Sequence, residues 1–165
     1  MLTLRAADRS LMPFRRAMLE DPQTMAYNAP WFPPDGTIPF PEVKWDGWLE
    51  RWVGKEPERF CGYLFDGDTP VGEVCWHSSG EEIGVVIKAE FRGKGYGAQG
   101  LALLAERAFS HAEITQLCNT FESTRDPALA LHLHFGFVQD GREDGLLHLM
   151  LTRTAYESQQ KRGTV

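Results

Sequence analysis

The sequence predicts a single α/β domain of the α+β kind, spanning residues 1–165. A length of 165 residues with 42% hydrophobic side chains is sufficient for one compact core. Alternating apolar residues on both sides of the turn 66–68 predict a β-hairpin. A glycine-rich turn at 92–97 joins an apolar strand at 83–87 to a helical run at 101–109. The expected fold therefore combines paired strands with helices placed before and between them.

The N-terminal third is predicted to be helical around one long loop. A short strand at 2–5 precedes a helix over 8–20, in which apolar residues recur at helical spacing. Five prolines between 28 and 41 exclude regular structure there. A helical pattern resumes over 42–53, where tryptophans fall on one face. The proline-rich segment is thus a loop that joins two helices.

The remainder of the chain alternates strands and helices without an internal repeat or linker. Apolar patterns predict strands at 60–65, 71–77, 83–88 and 117–121, and helices at 96–110 and 127–135. A closing hairpin is expected to pair 137–138 with 146–151 across Asp140-Gly141. This order places the glycine-rich turn at mid-chain, between a strand and a helix.

Charge and cysteine content exclude several classes of protein. The net charge of −6 argues against a general nucleic-acid binder, because the phosphate backbone requires a basic surface. Three scattered cysteines without a CxxC pair indicate neither a disulfide framework nor a zinc site, so no metal is expected. With no signal peptide and no apolar run long enough to span a bilayer, we expect a cytoplasmic protein without membrane contact.

The turn 92–97 is the most informative local signal. Its three glycines at alternate positions let successive backbone N–H groups face one side without interference from a Cβ. The helix that follows adds unpaired amides and the positive end of its dipole. Arg92 and Lys94 add positive charge within the same residues. The turn therefore predicts a binding site for a pyrophosphate-like anion.

Two stretches resemble motifs of the Gcn5-related N-acetyltransferase (GNAT) family. Residues 86–97 resemble its acetyl-CoA motif, in which a strand and a spacer precede Arg or Gln, two residues, Gly, one residue, and Gly or Ala. Residues 125–137 resemble its later motif Asn-x-x-Ala-x-x-Leu-Tyr-x-Lys-x-Gly-Phe. The resemblance implies a GNAT fold: a mixed, mostly antiparallel twisted sheet flanked by helices, with acetyl-CoA bound where the central strands splay apart.

The resemblance also implies which residues bind acetyl-CoA as co-substrate. Backbone amides of the turn would hold the pyrophosphate, and the preceding strand would pair with the pantetheine arm as an added strand does. The implied residues are Ile87, Lys88, Ala89, Arg92, Gly93, Lys94, Gly95, Tyr96, Gly97, Ala98 and Arg125. Two positions depart from the later motif. Arg125 stands where the family has an Asn that contacts the cofactor, and His132 stands where it has the Tyr that protonates the leaving thiolate.

Acyl transfer to an amine needs a base for the amine and an acid for the thiolate. Carboxylates on the strands that face the acetyl group are candidate bases, and we expect Glu122 first and Glu82 second. Imidazole has an ordinary pKa of about 6.5, which suits proton donation. His132 is therefore either the acid that replaces the tyrosine or a polar residue of a short helix without a catalytic role.

Aromatic residues around the proline-rich loop predict the acceptor site, because a loop of this length in a compact domain is more often functional than idle. Tyr27, Trp31 and Phe32 are the candidates for contact with the acceptor, including cation–π contact. An aromatic loop suggests a covered pocket, so we expect a small-molecule primary amine, with a protein N-terminus or lysine as the alternative. The resemblance implies a monomer or homodimer.

Two other functions stay open. Gly95, Gly97 and Gly100 spell GxGxxG, and Glu122 ends a later strand as a ribose-binding acid would, which fits a dinucleotide-binding site. The spacer at 89–94 and the short remainder of the chain argue against that interpretation. A catalytically silent module would bind acyl-CoA at the turn without transferring the acyl group. The departures from the motif at Arg125 and His132 favour this alternative.

Overall fold

The structure, a computed structural model, describes residues 1–163. Within them, seven strands form two sheets with the orders β1-β2-β3-β4 and β5-β7-β6. The strands are β1 Thr3–Ala6, β2 Phe60–Asp66, β3 Thr69–His77, β4 Glu82–Ile87, β5 Gln116–Glu122, β6 Val138–Glu143 and β7 Leu146–Thr152. The helices are α1 Met12–Leu19, α2 Pro22–Met25, α3 Trp45–Trp52, α4 Tyr96–Phe109, α5 Asp126–Phe135 and α6 Arg153–Arg162. Neighbouring strands pair antiparallel, which confirms the predicted fold class.

The alternation of side chains in the first hairpin decides what each face of the first sheet contacts. One face carries Leu64, Val74 and Trp76, all fully buried, into a core shared with α4. The opposite face carries Tyr63 and Phe65 into a second core beneath α1 and α3. Because successive residues of a strand point to opposite faces, two helical layers cover this sheet.

Helix α4 packs closely on the first sheet because its contact face carries a glycine. A Cβ at Gly100 would lie only 2.5 Å from Cδ1 of Leu64. Leu101, Leu104 and Ala105 are fully buried at helical spacing, as the sequence predicts. This packing fixes the N-terminus of α4 at the glycine-rich turn. Neither α4 nor any other described helix has the length and apolar character needed to cross a membrane.

A buried ion pair joins the second core to the sheet. Arg15 of α1 pairs with Glu73 of β3, and their side chains are 13% and 9% exposed. The Arg15 guanidinium also lies 4.2 Å from the ring centre of Trp48 on α3. Because Arg15 contacts both Glu73 and Trp48, it couples α1, α3 and β3. Removing one partner of a buried pair leaves an uncompensated charge.

The two sheets approach each other where β4 and β5 begin. Gly80 precedes β4 with a φ of +95°, and a Cβ there would lie 2.5 Å from the carbonyl oxygen of Gln116. Only glycine combines this conformation with so close an approach. Beyond this point no ladder joins β4 to β5 in the described residues, and cavities occupy the gap. This gap is the strand splay that the family resemblance implies.

The closing hairpin differs from the prediction. It turns at Asp144-Gly145 rather than at Asp140-Gly141, so β6 continues through the earlier pair. Asp144 and Gly145 have φ values of +48° and +80°, which suit a two-residue hairpin turn. Asp140 is accommodated by a shift of register between Gln139 and Gly141. Two Asp-Gly pairs offered the same local signal, and strand pairing decided between them.

The C-terminal helix α6 has no counterpart in the sequence-based prediction, because its residues are largely polar and lack a clear apolar face. Arg153 at its start donates to the carbonyl oxygens of Phe109 at 2.6 Å, Ile114 at 2.7 Å and His111. These contacts attach α6 to the connection between α4 and β5. Tertiary hydrogen bonds therefore position this helix.

Gly80→Ala is expected to destabilise the protein at the point where β4 and β5 begin. Its φ disfavours any L side chain, and the new Cβ would meet a backbone oxygen that cannot move aside. We expect the free energy of unfolding to fall by about 2–3 kcal/mol, which corresponds to a Tm lower by roughly 4–12 °C. Thermal unfolding followed by circular dichroism measures this change.

Gly47→Ala is the matched control for Gly80→Ala. Gly47 lies within α3, and a Cβ there would have no other atom within 4 Å. Alanine stabilises a helix by about 0.5–1 kcal/mol relative to glycine, so this variant should match or exceed the native stability. Equal melting temperatures for the two variants would contradict the strain assigned to Gly80.

Candidate active site

Two adjoining cavities fill the gap between β4 and β5. The first, here called the cradle cavity, measures about 560 Å³ and lies between 85–87 of β4, the glycine-rich turn and the start of α5. The second, here called the carboxylate cavity, measures about 480 Å³ and lies between 81–86, 119–122 and the residues after α2. Tyr27, Val85, Val86 and Arg125 line both cavities. Molecules that enter from the two sides would meet at this junction.

The glycine-rich turn has the shape of an anion site at the start of α4. Gly93 and Gly95 have φ values of +78° and +76°, and Gly95 is the N-cap residue of α4. A Cβ at either position would meet no atom within 4 Å, so backbone conformation rather than crowding requires glycine here. The first N–H groups of a helix have no partner inside it, so those of Tyr96, Gly97 and Ala98 can bind an anion.

The cradle cavity brings together most of the residues predicted to bind acetyl-CoA: Ile87, Arg92, Gly93, Gly95, Tyr96, Gly97, Ala98 and Arg125. Lys88, Ala89 and Lys94 do not line it. Lys88 pairs with Glu90, and the Ala89 N–H donates to Oγ1 of Thr24 at 2.9 Å. Their contacts with the cofactor stay a prediction.

Arg92 holds the turn in place, a role that the sequence does not reveal. Its guanidinium donates to the carbonyl oxygens of Ile87 at 3.1 Å, Gln23 at 3.2 Å and Thr24 at 2.7 Å. The positive charge expected to attract an anion is instead bound to the end of β4 and to α2. Backbone amides and the dipole of α4 add to the attraction for an anion at this turn.

The two predicted bases stand on opposite walls of the carboxylate cavity. Glu122, at the end of β5, accepts from the Trp31 indole N–H at 2.8 Å and lies 3.9 Å from an Arg125 nitrogen. Glu82, at the start of β4, lies 3.1 Å from Nε2 of His77. The Glu82 side chain is 64% exposed, against 22% for Glu122. Glu122 is thus the more enclosed of the two carboxylates.

Arg125 stands at the junction between two aromatic rings. Its guanidinium lies 4.5 Å from the ring centre of Tyr27 and 5.3 Å from that of Phe121. Arg125 is also the N-cap residue of α5, and Pro127 in the first turn fits a helix start at this point. The cation that replaces the family's Asn is therefore held by ring faces, with Glu122 nearby.

His132 lines neither cavity and lies in the core at 3% exposure. Its ring packs against Phe121 and Phe137, with ring centres 5.3 and 4.9 Å away. Nδ1 donates to the Ala128 carbonyl at 2.7 Å, so Nε2 accepts from the Asn119 amide at 3.0 Å. Burial lowers the pKa of His132, which keeps the ring neutral near pH 7. This geometry does not support the proton-donor role expected from the motif.

Two of the three aromatic residues predicted to contact the acceptor line the cavities. Tyr27 lines both cavities, and Trp31 lines the carboxylate cavity. Phe32 lines neither cavity and is 46% exposed. The loop after α2 therefore contributes Trp31 to the site, and the predicted contact of Phe32 with an acceptor has no geometric support.

Several cavity residues escape sequence-based prediction because they lie inside regular elements. Val85, Val86, Asn119 and Thr120 face the gap from β4 and β5, where their pattern predicts a strand and nothing more. Pro127, Ala128 and Leu131 also line the cradle cavity. They fall within the stretch 125–137, so the motif itself carries the signal that could have identified them.

Comparison with known proteins relates this geometry to a family. A model of the acetyltransferase (GNAT) family matches residues 22–137, which include the glycine-rich turn and the later motif. A search of curated proteins finds no match. The crystal structure of spermidine N-acetyltransferase from Vibrio cholerae in complex with CoA and spermine has a TM-score of 0.77 at 17% identity, over 94% of this chain and 98% of that one.

Two further solved acetyltransferases have similar folds. The GNAT-family acetyltransferase from Streptococcus pneumoniae has a TM-score of 0.76 at 17% identity, over 92% of this chain and 99% of that one. A dodecameric spermidine N-acetyltransferase from V. cholerae in an intermediate state has a TM-score of 0.75 at 16% identity, over 96% of this chain and 97% of that one. At these identities the structural likeness shows a common fold, and the family match spans more than half of the sequence. The chain thus belongs to the GNAT family of acetyl-CoA-dependent N-acetyltransferases.

Proposed function

We propose that this enzyme moves the acetyl group of acetyl-CoA to a primary amine of a small molecule, by direct attack in a ternary complex. The junction of the two cavities is the observation that carries this proposal. An anionic co-substrate fits the side with unpaired helix amides, and a cationic acceptor fits the side with carboxylates. The two would meet where the cavities share Tyr27, Val85, Val86 and Arg125.

The residues around the cradle cavity fit acetyl-CoA. Unpaired amides at the start of α4 suit the pyrophosphate. β4 is the edge strand of the first sheet, so its outer backbone groups can bind the amides of the pantetheine arm as an added strand would. An arm that follows β4 runs from the turn to the junction. The V. cholerae neighbour was solved with CoA, which supports a CoA thioester as the ligand.

Glu122 is the base in this proposal. It is the less exposed of the two predicted carboxylates, and the Trp31 N–H fixes one of its oxygens. A carboxylate offers about four lone-pair sites, so it can be held by Trp31 and still accept a proton from an ammonium group. Glu82 is the second candidate, since it lines the same cavity from the opposite wall.

A polyamine is one acceptor class that the carboxylates favour. Ring faces of Tyr27 and Trp31 add cation–π attraction at the same cavity. The V. cholerae neighbour is a spermidine N-acetyltransferase in complex with spermine, which supports trying polyamines first. The bond between Trp31 and Glu122 brings the loop over one side of the cavity, which favours a small molecule over a protein acceptor. For the oligomeric state we retain the expectation of a monomer or homodimer.

Thiol release from acetyl-CoA tests the proposed reaction across a panel of acceptors. The panel contains spermidine, an aminoglycoside, an amino acid amide and a lysine peptide. We expect release to depend on the amine and to be fastest with a small polycation. Acetyl-CoA should also raise the melting temperature, because a ligand that binds only the folded state stabilises it.

Three outcomes of the amine panel, and of melting with acetyl-CoA or NADH, would contradict the proposal in different ways. Binding of acetyl-CoA without thiol release by any amine would favour the silent module. Fastest release with the lysine peptide would favour a protein acceptor. Stabilisation by NADH and not by acetyl-CoA would favour a dinucleotide site.

Gly95→Ala is expected to weaken acetyl-CoA binding about tenfold, because strain of the cradle would oppose the bound conformation. Its φ of +76° disfavours an L side chain, although a Cβ would meet no atom within 4 Å. Isothermal titration calorimetry with CoA measures the change.

Gly54→Ala is the matched control, since its φ is +69° and its Cβ would also meet no atom within 4 Å. It follows α3 and lines neither cavity. The control should lose stability and keep its affinity for CoA. Equal affinities for the two variants would show that the conformation of Gly95 does not matter for binding.

Glu122→Gln is expected to lower kcat about 100-fold, since amide oxygen cannot take the proton of the attacking amine. Glu82→Gln should lower kcat by no more than about tenfold, because its exposed carboxylate acts on the acceptor through its charge. Steady-state thiol release at saturating acetyl-CoA measures both. A larger loss from Glu82→Gln would assign the base to β4 instead.

A further inference from the structure

The burial of His132 leaves the departing thiolate without an evident proton source. In the family motif a tyrosine occupies this position, but here both ring nitrogens of His132 are hydrogen-bonded inside the core. Expulsion of a thiolate is assisted by a positioned acid, typically by 100-fold or more, as an order of magnitude. Another group at the junction could supply that proton.

Four residues line both cavities, and only two of them have polar side-chain hydrogens. Val85 and Val86 have none. Guanidinium groups do not act as acids in proteins, which excludes Arg125. Tyr27 is therefore the one side chain shared by the two cavities that can act as an acid.

Tyr27 is brought to the junction by contacts of the segment that carries it. Arg92 donates to the Gln23 and Thr24 carbonyl oxygens, and the Thr24 hydroxyl accepts from the Ala89 N–H. These bonds tie α2 to the end of β4, just before Tyr27 in the chain. The Arg125 guanidinium then lies 4.5 Å from the Tyr27 ring centre. The ring is thus held from two sides.

The hydroxyl of Tyr27 is available to a substrate. Within residues 1–163 no protein group hydrogen-bonds to it. It is also not among the buried polar atoms that lack a partner, so it is not sealed in the core. A hydroxyl with both properties, on a residue that lines both cavities, can reach a bound molecule.

We propose that Tyr27 is the catalytic acid of this acetyltransferase. The inference rests on the proposed function. Glu122 takes one proton from the ammonium group, and the neutral amine nitrogen bonds to the carbonyl carbon. The electron pair of the C–S bond goes to sulfur, which takes the hydroxyl proton of Tyr27. The acylated nitrogen gives its surplus proton to the tyrosinate, and Glu122 gives its proton to solvent, so both groups return to their starting forms.

The surroundings of Tyr27 suit both of its forms in this step. Burial raises the pKa of Tyr27, so its hydroxyl is protonated at neutral pH when the reaction begins. The Arg125 charge acts in the opposite direction and favours the transient tyrosinate. In this proposal Tyr27 takes the role of the tyrosine that His132 replaces, and Arg125 stabilises the tyrosinate.

Tyr27→Phe tests the inference because it removes the hydroxyl and keeps the ring that contacts Arg125. We expect kcat for thiol release to fall about 100-fold, while the Kd for acetyl-CoA changes less than about twofold. A structural role alone would change Kd or the melting temperature and not kcat selectively. Tyr156→Phe is the matched control: its ring packs on Phe109 at 4.9 Å between ring centres, and it lines neither cavity. Its kcat should equal that of the native enzyme.

His132→Gln separates this proposal from the expectation set by the motif. Loss of a buried ring should lower the melting temperature, and kcat should fall less than in Tyr27→Phe. Full turnover by Tyr27→Phe, or a larger loss of kcat in folded His132→Gln, would overturn the inference while leaving the proposed function intact. Absence of thiol release from the native enzyme with every amine would overturn the proposed function and the inference with it.

Discussion

The divergence of β4 from β5 is the constraint on which the rest of the structure depends. Gly80 lets the two strands begin in contact, and no ladder joins them afterwards in the described residues. The outer edge of β4 is therefore open to an extended ligand, and the end of β5 brings Glu122 to the other side of the gap. The two cavities that the proposed reaction assigns to the cofactor and to the acceptor both adjoin this one unpaired strand edge.

The segment from α2 to Trp31 closes this gap from the N-terminal side. Arg92 and Thr24 attach it to the end of β4, and the Trp31 indole attaches it to Glu122 at the end of β5. The segment thus bridges the two strands that diverge. Tyr27 lies between these attachment points, in a short 3-10 helix Ala26–Asn28, which explains how it comes to line both cavities. The segment after α2 is accordingly part of the cavity walls.

Sequence patterns predicted those features that depend on local chemistry. The strands, helix α4 and the glycine conformations at 93 and 95 follow from apolar periodicity and from the lack of a Cβ. The pattern was wrong at Asp140-Gly141, because another Asp-Gly pair four residues later gave the same signal. It could not show that Arg92 binds three backbone carbonyls or that His132 is buried, because those facts depend on residues distant in the sequence. Tertiary contacts decide the role of a polar side chain even within a recognisable motif.

Helix α5 shows how one motif can divide its functions between its two ends. At its start, Arg125 reaches the junction of the cavities and lies against the Tyr27 ring. About two turns later, His132 donates a hydrogen bond to the Ala128 carbonyl of α5 and accepts one from the Asn119 amide of β5. Both bonds lie in the core. A residue that holds two core hydrogen bonds would have to break them to deliver a proton to the gap, at a cost of about 1 kcal/mol or more for each. The N-cap residue of α5 thus contributes charge to the cavities, and His132 contributes packing between α5 and β5.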